Sequence, residues 1–124
     1  MKTAVDVMTK HVVDIQPDAT VGDAIEKMKE WNVSSLLVRR QDSTDTWGFM
    51  SRKDVLEKVV ARGLDSDTVY VHQIMTKPVI TVPPNCSLRD CAALMVRADI
   101  RRVLVFDGQD IVGIVSSSDI FNVT

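Results

Sequence analysis

Two copies of a short motif carry the oxygen-bearing side chains of this sequence that are best placed to bind a ligand. Each copy runs glycine, two apolar residues, serine, two polar residues and aspartate, at residues 48–54 and 113–119. A glycine with an apolar pair is typical of the end of a buried strand, and a serine with an acid three residues later is typical of a helix start. Each copy therefore predicts a strand-to-helix corner where backbone N–H groups and two side chains face one place.

The chemistry that suits such a corner is the binding of a sugar diol next to a phosphate. Asp54 and Asp119 are one turn into their helices, where a carboxylate can accept both hydroxyl protons of a vicinal diol. Ser51 and Ser116 can donate to a ribose oxygen or an α-phosphate, helped by exposed backbone N–H groups at the helix start. An adenosine nucleotide has these requirements.

Helix capping alone is the alternative interpretation of both corners, because Ser-x-x-Asp is also a capping box. The chain has two further boxes of this kind, Thr20 to Asp23 and Ser87 to Asp90, which we interpret as capping alone. Spacing by itself favours capping at the corners too, and the glycine and apolar pair before each corner favour a binding site only together with the resemblance of the whole chain to a known family. The two roles are compatible, since a capping serine can share its donor with a ligand.

Catalysis and metal binding are not indicated. No serine or cysteine has a histidine that the predicted elements bring near, and the chain has no G-x-x-x-x-G-K-S/T loop, metal-ligand spacing or acid–base carboxylate pair. We therefore expect no enzyme activity, no metal site and no catalytic cofactor. Cys86 and Cys91 are five residues apart, and because Cys91 falls within a predicted helix we expect the two thiols to face different directions as structural groups.

The composition indicates an ordinary soluble domain. The 124 residues are 45% apolar and 26% charged, with a net charge of −2. Such a charge does not attract nucleic acid in general, and the longest apolar runs are far shorter than the roughly 20 residues that cross a bilayer. We expect a soluble, cytoplasmic protein with no nucleic-acid or membrane partner.

The two corners belong to a longer internal repeat. The Met-Thr-Lys sequence of residues 8–10 recurs 67 residues later at 75–77, and the match continues through the following proline, helix start and strand. The corners are only 65 residues apart, so the first copy has two extra residues, which we place in the polar segment 41–46. The predicted repeats are residues 5–63 and 71–124, with a linker at 64–70, and they are expected to pack about a pseudo-two-fold axis.

Hydrophobic periodicity predicts the same elements in both repeats. A short strand, at 12–15 and 79–82, ends at proline, and a one-sided helix of about ten residues follows a threonine or serine cap. Two apolar strands then form a hairpin that leads into the corner and a last helix. The predicted order is strand, helix, strand, strand, helix, an α/β fold with a three-stranded sheet and two helices in each repeat.

This order, with the quoted residues, resembles the tandem cystathionine-β-synthase (CBS) domain pair, often called a Bateman module. Val7-Met8-Thr9-Lys10 and Ile74-Met75-Thr76-Lys77 look like the entry to this family's domain, and Gly-apolar-apolar-Ser/Thr-x-x-Asp is its hallmark. The resemblance spans nearly the whole chain in two copies. It implies a regulatory, energy-sensing module that binds an adenosine ligand (AMP, ADP, ATP or S-adenosylmethionine) in clefts between the repeats.

The resemblance also implies roles for individual residues. The serine and aspartate of each corner would contact ribose and phosphate, and Arg101-Arg102 would lie near the phosphates of the second site. The first copy has Ser34-Ser35 at that place, for which Lys53 and Arg52 compensate only partly, so we expect unequal sites with the one at Asp119 the stronger. The adenine would meet backbone and apolar side chains of the short strand after Met-Thr, at Val12, Val13, Val79 and Ile80.

The resemblance has consequences for partners as well. Modules similar to this one commonly pair through short helix faces into a flat homodimer, which is the expected assembly here. With no effector domain in the sequence, the module would act on a partner protein in trans. The alternative is a module for dimerisation or protein interaction that binds no ligand.

Overall fold

The computed structural model describes all residues, Met1–Thr124, and the backbone runs through one order of elements twice. The predicted order of strand, helix, strand, strand, helix is confirmed in both repeats. The first repeat contains α1 (Ala4–Val7), β1 (Asp14–Ile15), α2 (Val21–Trp31), β2 (Ser35–Val38), β3 (Gly48–Ser51) and α3 (Arg52–Val55), which continues as a π-helical turn, Leu56–Val60. The second contains α4 (Val71–Ile74), β4 (Thr81–Val82), α5 (Leu88–Ala98), β5 (Arg102–Phe106), β6 (Ile111–Ser116) and α6 (Ser117–Phe121).

The one-turn helices α1 and α4 were not predicted, because four residues are too few to show a helical period. Strands β1 and β4 are also shorter than predicted, with two residues each. Each pairs in parallel with the next strand of its repeat, which then forms an antiparallel hairpin, so the sheet orders are β1-β2-β3 and β4-β5-β6. The short strands thus serve mainly to place the residues that precede each long helix.

The two long helices begin where the sequence predicts and have about the predicted length. Thr20 and Ser87 are the N-caps, and their hydroxyl oxygens accept hydrogen bonds from the third residue of each helix. Asn32 and Asp99 end the helices in the left-handed conformation with φ of 53°, a conformation that Asn and Asp tolerate better than most residues. At 11 residues each, these helices are too short to cross a membrane, and no other helix has the required length and apolarity.

The chain folds into two compact units whose boundaries do not follow the repeats. We call residues Val13–Val79 the middle unit, and Met1–Val12 with Ile80–Thr124 the terminal unit. We call Met8-Thr9 and Met75-Thr76 the two Met-Thr lead-ins. In the terminal unit the first lead-in pairs with β6 through Thr9 and Ile114. In the middle unit the second lead-in pairs with β3 through Thr76 and Phe49. Each unit therefore combines the strands of one repeat with the lead-in of the other.

Residues 64–70 lie inside the middle unit. The amide of Val21 donates to the carbonyl of Val69 at 2.8 Å, and the amide of Gly22 donates to Ser66 at 2.9 Å. The stretch is therefore hydrogen-bonded to the start of α2.

Each unit has its own apolar core, formed by one face of its sheet and the helix that covers that face. Apolar side chains are buried there because this removes their surface from water. In the middle unit, fully buried side chains include Val21, Leu36, Val38, Met50 and Val59. In the terminal unit they include Ala4, Cys91, Val103, Val105 and Val115.

Candidate functional site: the two strand-to-helix corners

The glycine of each corner motif makes room for the methionine of a lead-in. A Cβ atom added at Gly48 would lie 2.8 Å from Met75 Sδ, and one added at Gly113 would lie 2.3 Å from Met8 Sδ. Both distances are shorter than side-chain atoms tolerate, so only glycine lets the methionine approach the strand this closely. The Met-Thr lead-in and the glycine motif recur together because they pack against each other.

Each corner contains a complete capping box, so the serine and aspartate of both corners do cap their helices. At the first corner, Ser51 N donates to Asp54 Oδ2 at 2.8 Å and Asp54 N donates to Ser51 Oγ at 3.3 Å. At the second, Ser116 N donates to Asp119 Oδ2 at 2.8 Å and Asp119 N donates to Ser116 Oγ at 3.1 Å. Both carboxylates are thereby held one turn into their helices, half-buried and in a defined orientation.

The backbone N–H groups of the corners are mostly used within the protein, contrary to the expectation that they lie exposed. Besides the serine and aspartate amides, Arg52 N donates to Ser34 O and Ser117 N donates to Arg101 O, each at 2.9 Å. A helix start normally leaves its first amides without partners, but here the neighbouring strand supplies acceptors. The chemistry of the corners therefore lies mainly in their side chains.

The two corners differ in what surrounds the aspartate. Lys58 Nζ lies 3.2 Å from Asp54 Oδ1 and donates to the carbonyl of Ile74 at 2.9 Å, and the Asp54 side chain is only 17% exposed. The corresponding residue of the second repeat, 65 positions on, is Val123. The lysine that neutralises Asp54 thus has no counterpart at Asp119, a second reason for unequal sites.

Basic residues also distinguish the corners. Arg102 is the register partner of Ser116 in the β5-β6 pair, whereas Ser35 is the partner of Ser51 in the β2-β3 pair. Directly opposite residues of an antiparallel pair have Cβ atoms about 5 Å apart, so the structure brings Arg102 next to Ser116. The side chain of Arg102 is half-buried and makes a polar interaction within the protein, while that of Arg101 is exposed.

Lys53 does not face the first corner. Its side chain is 80% exposed, and its ammonium group lies 3.7 Å from Glu57 Oε1, one helical turn further along. Such an ion pair on the exposed face of a helix contributes little to the stability of the protein, and it directs the lysine away from the corner. The structure therefore does not support Lys53 as a substitute for the arginines of the second repeat.

The predicted adenine-contacting residues are divided between the two units. Val13 and Val79 belong to the middle unit with Asp54, and Val12 and Ile80 belong to the terminal unit with Asp119. The carbonyl oxygens of Val13 and Ile80 already accept hydrogen bonds, from Leu37 N and Leu104 N, at 3.0 Å each. Their side chains pack on the apolar cores, whereas those of Val12 and Val79 are half-buried.

The prediction that the two cysteines face different directions is wrong. Cys91 donates to Cys86 across an Sγ–Sγ distance of 3.5 Å. Ser87 is the N-cap of α5, so Cys86 precedes the cap and Cys91 is the fourth helical residue, the two positions that meet in a hydrophobic staple. Helical spacing does not apply to Cys86, because that residue precedes the helix. The sequence signal that could have revealed this contact was the cap at Ser87.

The family model and the related proteins that match this chain all belong to one family. The model of the CBS domain matches residues 4–61 and 71–123. The CBS domain-containing protein YhcV of Bacillus subtilis is 32% identical over 120 residues, which cover 97% of this chain and 84% of YhcV. Hypoxic response protein 1 of Mycobacterium tuberculosis is 28% identical over 120 residues, with 97% of this chain and 83% of that protein covered.

Solved structures agree with this assignment. The crystal structure of a hexameric CBS-CP12 protein from bloom-forming cyanobacteria superposes with a TM-score of 0.92 and 38% identity. The similarity covers 97% of this chain but only 66% of the CBS-CP12 chain, slightly less than two thirds. With a family match to both repeats and the same fold in a relative, the chain belongs to the CBS domain family and contains two CBS domains.

Proposed function

We propose that this protein is a regulatory module that binds an adenosine ligand (AMP, ADP, ATP or S-adenosylmethionine) at the corner of Ser116 and Asp119, and that it acts on a partner protein in trans. A pair of CBS domains is a regulatory module, which supports the general part of this proposal. The proposed adenosine ligand is supported chiefly by the geometry of the second corner. There a carboxylate held by a capping box lies one turn from a serine whose strand partner is Arg102.

The capping box leaves capacity for a ligand. A carboxylate has about four lone-pair positions and a serine hydroxyl has one proton to donate. The box uses Asp119 Oδ2 as an acceptor for Ser116 N, and Ser116 Oγ as an acceptor for Asp119 N. The remaining carboxylate positions would accept the two hydroxyl groups of ribose, and the serine proton would bind a ribose or α-phosphate oxygen.

The charges near this corner suit a nucleotide better than those near Asp54. The guanidinium groups of Arg101 and Arg102 would bind phosphate oxygens with charge-assisted, bidentate geometry. At the first corner the Lys58 ammonium already pairs with Asp54, so binding a diol there would compete with an ion pair. The Asp119 corner is therefore the proposed primary site, and the ligand would regulate by favouring one conformation over another.

Isothermal titration calorimetry with AMP, ATP and S-adenosylmethionine tests this proposal. We expect saturable binding of at least one ligand, and an affinity loss of about tenfold or more in Asp119→Asn, since a hydrogen bond to a charged group contributes roughly 1.5–3 kcal/mol. Asp23→Asn is the matched control, because Asp23 forms the same capping box with Thr20 at the start of α2. We expect Asp54→Asn to leave the number of bound ligands unchanged.

Two results would contradict this assignment. Absence of binding with all three ligands would reject the adenosine site, and equal losses in Asp119→Asn and Asp23→Asn would show that a capping defect, not a lost contact, weakens binding. A lower ligand count in Asp54→Asn would show that both corners are occupied.

A second candidate function is self-association or protein interaction without a ligand. It is favoured by apolar side chains on the helix surfaces: in the terminal unit Val96 of α5 is 82% exposed and Phe121 of α6 is 78% exposed. In the middle unit a groove of about 330 Å³ lies between α2 and α3, beside the exposed Leu56. Such surfaces are typical of contacts between protein molecules, and the related CBS-CP12 protein is hexameric. We propose that these faces form the homodimer contact.

A further inference from the structure

The terminal unit contains a close pair of thiols that the proposed ligand site does not use. Cys86 Sγ and Cys91 Sγ are 3.5 Å apart, and a disulfide bond requires about 2.05 Å. The remaining gap of about 1.5 Å is within the range of small side-chain rotations around a helix start.

The pair is specific to the second repeat. The positions 67 residues earlier are Ala19 and Ala24, which stand in the same relation to the cap Thr20 and to α2. Two alanines are thus sufficient for this part of the fold, and packing alone does not require thiols. The same comparison supplies matched control variants, since alanine at 86 or 91 reproduces what the other repeat contains.

The two thiols have different environments. Cys91 has no exposed surface, and burial raises the pKa of its thiol to about 12, with a further contribution from the neighbouring Cys86. Cys86 is half-buried at the turn before α5, so it is the thiol that solvent reaches. The Cys91 S–H group donates to Cys86 Sγ, so the buried thiol is directed at the half-exposed one. Cys86 is accordingly the thiol that reacts first.

The turn that carries Cys86 also holds the N-terminal helix. Ala4 N donates to the carbonyl of Cys86 at 2.8 Å, and Val5 N donates to Pro84 O at 3.0 Å. Ala4 is fully buried in the core of the terminal unit. A covalent bond from Cys86 to α5 would therefore stiffen the structure that binds α1.

We propose that Cys86 and Cys91 form a reversible dithiol–disulfide pair that responds to hydroperoxides and stiffens the attachment site of α1. In the first step the Cys86 thiolate attacks the hydroperoxide, the O–O bond breaks, and Cys86 becomes a sulfenic acid while the peroxide is reduced to an alcohol or water. In the second step the Cys91 sulfur attacks the Cys86 sulfur, the S–O bond breaks, and the hydroxide leaves as water with the Cys91 proton. The two thiols lose two electrons and the peroxide gains them, and a dithiol reductant reverses the change by exchange.

Intact mass spectrometry of the denatured, alkylated protein tests the bond. After hydrogen peroxide we expect a product about 2 Da lighter that takes up no alkylating reagent, and dithiothreitol should restore two reactive thiols. Cys91→Ala should instead give a sulfenic acid at Cys86, which dimedone traps and methionine sulfoxide does not, or a disulfide between two chains. Oxidation of the six methionines reports that the peroxide has acted.

Hydrogen exchange tests the effect on α1. We expect the amides of Ala4 and Val5 to exchange several-fold more slowly in the oxidised protein than in the reduced one. Two reactive thiols persisting after methionine oxidation, or Cys86 oxidised without a loss of about 2 Da, would overturn the disulfide. Unchanged exchange in a fully bridged sample would overturn the stiffening. Both readouts are made on the wild-type chain, so they do not depend on how the alanine variants fold.

Discussion

Among single residues, Gly48 and Gly113 matter most for the corners, because neither has a Cβ atom and a methionine side chain occupies that space. The strand position at Gly113 is in contact with the full length of the Met8 side chain, because an added Cβ would lie 2.3 Å from Sδ, 2.7 Å from Cγ and 3.0 Å from Cβ of that residue. At Gly48 the added atom would lie 2.8 Å from Met75 Sδ, the flexible end of the side chain, and 3.2 Å from Val38 Cβ. Both glycines make room for a methionine side chain, but Gly113 is packed more tightly than Gly48.

This difference predicts the effect of alanine at the two positions. Gly113→Ala should lower the free energy of unfolding by about 1–3 kcal/mol, because an added methyl group in a packed region forces its neighbours to move. Gly48→Ala should cost less, since the end of Met75 can rotate away. Urea denaturation of both variants measures the effect.

The control for this prediction is Met8→Ala combined with Gly113→Ala. Relative to Met8→Ala alone, the added Gly113→Ala should cost much less than it does in the wild type, because most of the colliding side chain is gone. If Gly113→Ala is as stable as the wild type, the contact with Met8 is not what requires glycine.

At the scale of elements, the two repeats differ most in the hairpin loop between β2 and β3. This loop contains the polar segment 41–46, in which we placed the two extra residues of the first copy. Its Asp45 accepts a hydrogen bond from Gln41 N at 2.9 Å and forms an ion pair with Lys77 at 2.6 Å. The extra residues thus allow the loop to reach the segment that follows the Met-Thr lead-in.

The ion pair predicts a particular dependence of stability on pH. The hydrogen bond from Lys77, with that from Gln41 N, lowers the pKa of Asp45 from 3.8 to about 2. Because the folded-state pKa is below the unfolded one, the contribution to stability is complete above about pH 4 and is lost as the pH falls towards 2. The stability difference between wild type and Asp45→Asn should therefore disappear over that interval.

Urea denaturation of both proteins between pH 2 and pH 7 measures this difference. Lys77→Met, which removes the largest cause of the lowered pKa and leaves the carboxylate with its hydrogen bond from Gln41 N, should weaken the same pH dependence. A wild-type advantage over Asp45→Asn that stays constant down to pH 2 would show that the contribution does not come from the charge.

At the scale of the whole molecule, the exposed apolar side chains of the helices are the feature that the isolated chain does not explain. In the terminal unit Val96 and Phe121 are 82% and 78% exposed, on helices that contact each other. Large apolar side chains that remain in water on neighbouring helices are typical of surfaces where proteins interact. The proposed homodimer would bury them.

The proposed contact predicts that charge on this face prevents assembly. Val96→Asp and Phe121→Asp should shift the protein to monomers, because a carboxylate buried in an apolar interface loses its hydration without a partner. Size-exclusion chromatography with light scattering measures the mass of the assembly. Gln109→Asp, which adds a carboxylate at an exposed position of the loop between β5 and β6, serves as the control. An unchanged assembly in both aspartate variants would place the contact elsewhere.

Features that depend on neighbouring residues could be predicted from the sequence alone. The caps at Thr20 and Ser87 and the two corners follow from signals within a few positions of each other. The internal repeat then supplied the order of elements and the resemblance to the CBS pair. Local signals were sufficient because capping and hydrophobic periodicity act over one or two helical turns.

Which distant segments meet is visible only in the folded chain. Met8 contacts Gly113 more than a hundred positions later, and no local signal specifies which repeat receives a lead-in. The same holds for Lys58, which links Asp54 to the end of α4, and for the opposed positions of Arg102 and Ser116 across a strand pair. These contacts depend on how the chain closes its loops and fills each core, and they are what make two nearly identical corners chemically unequal.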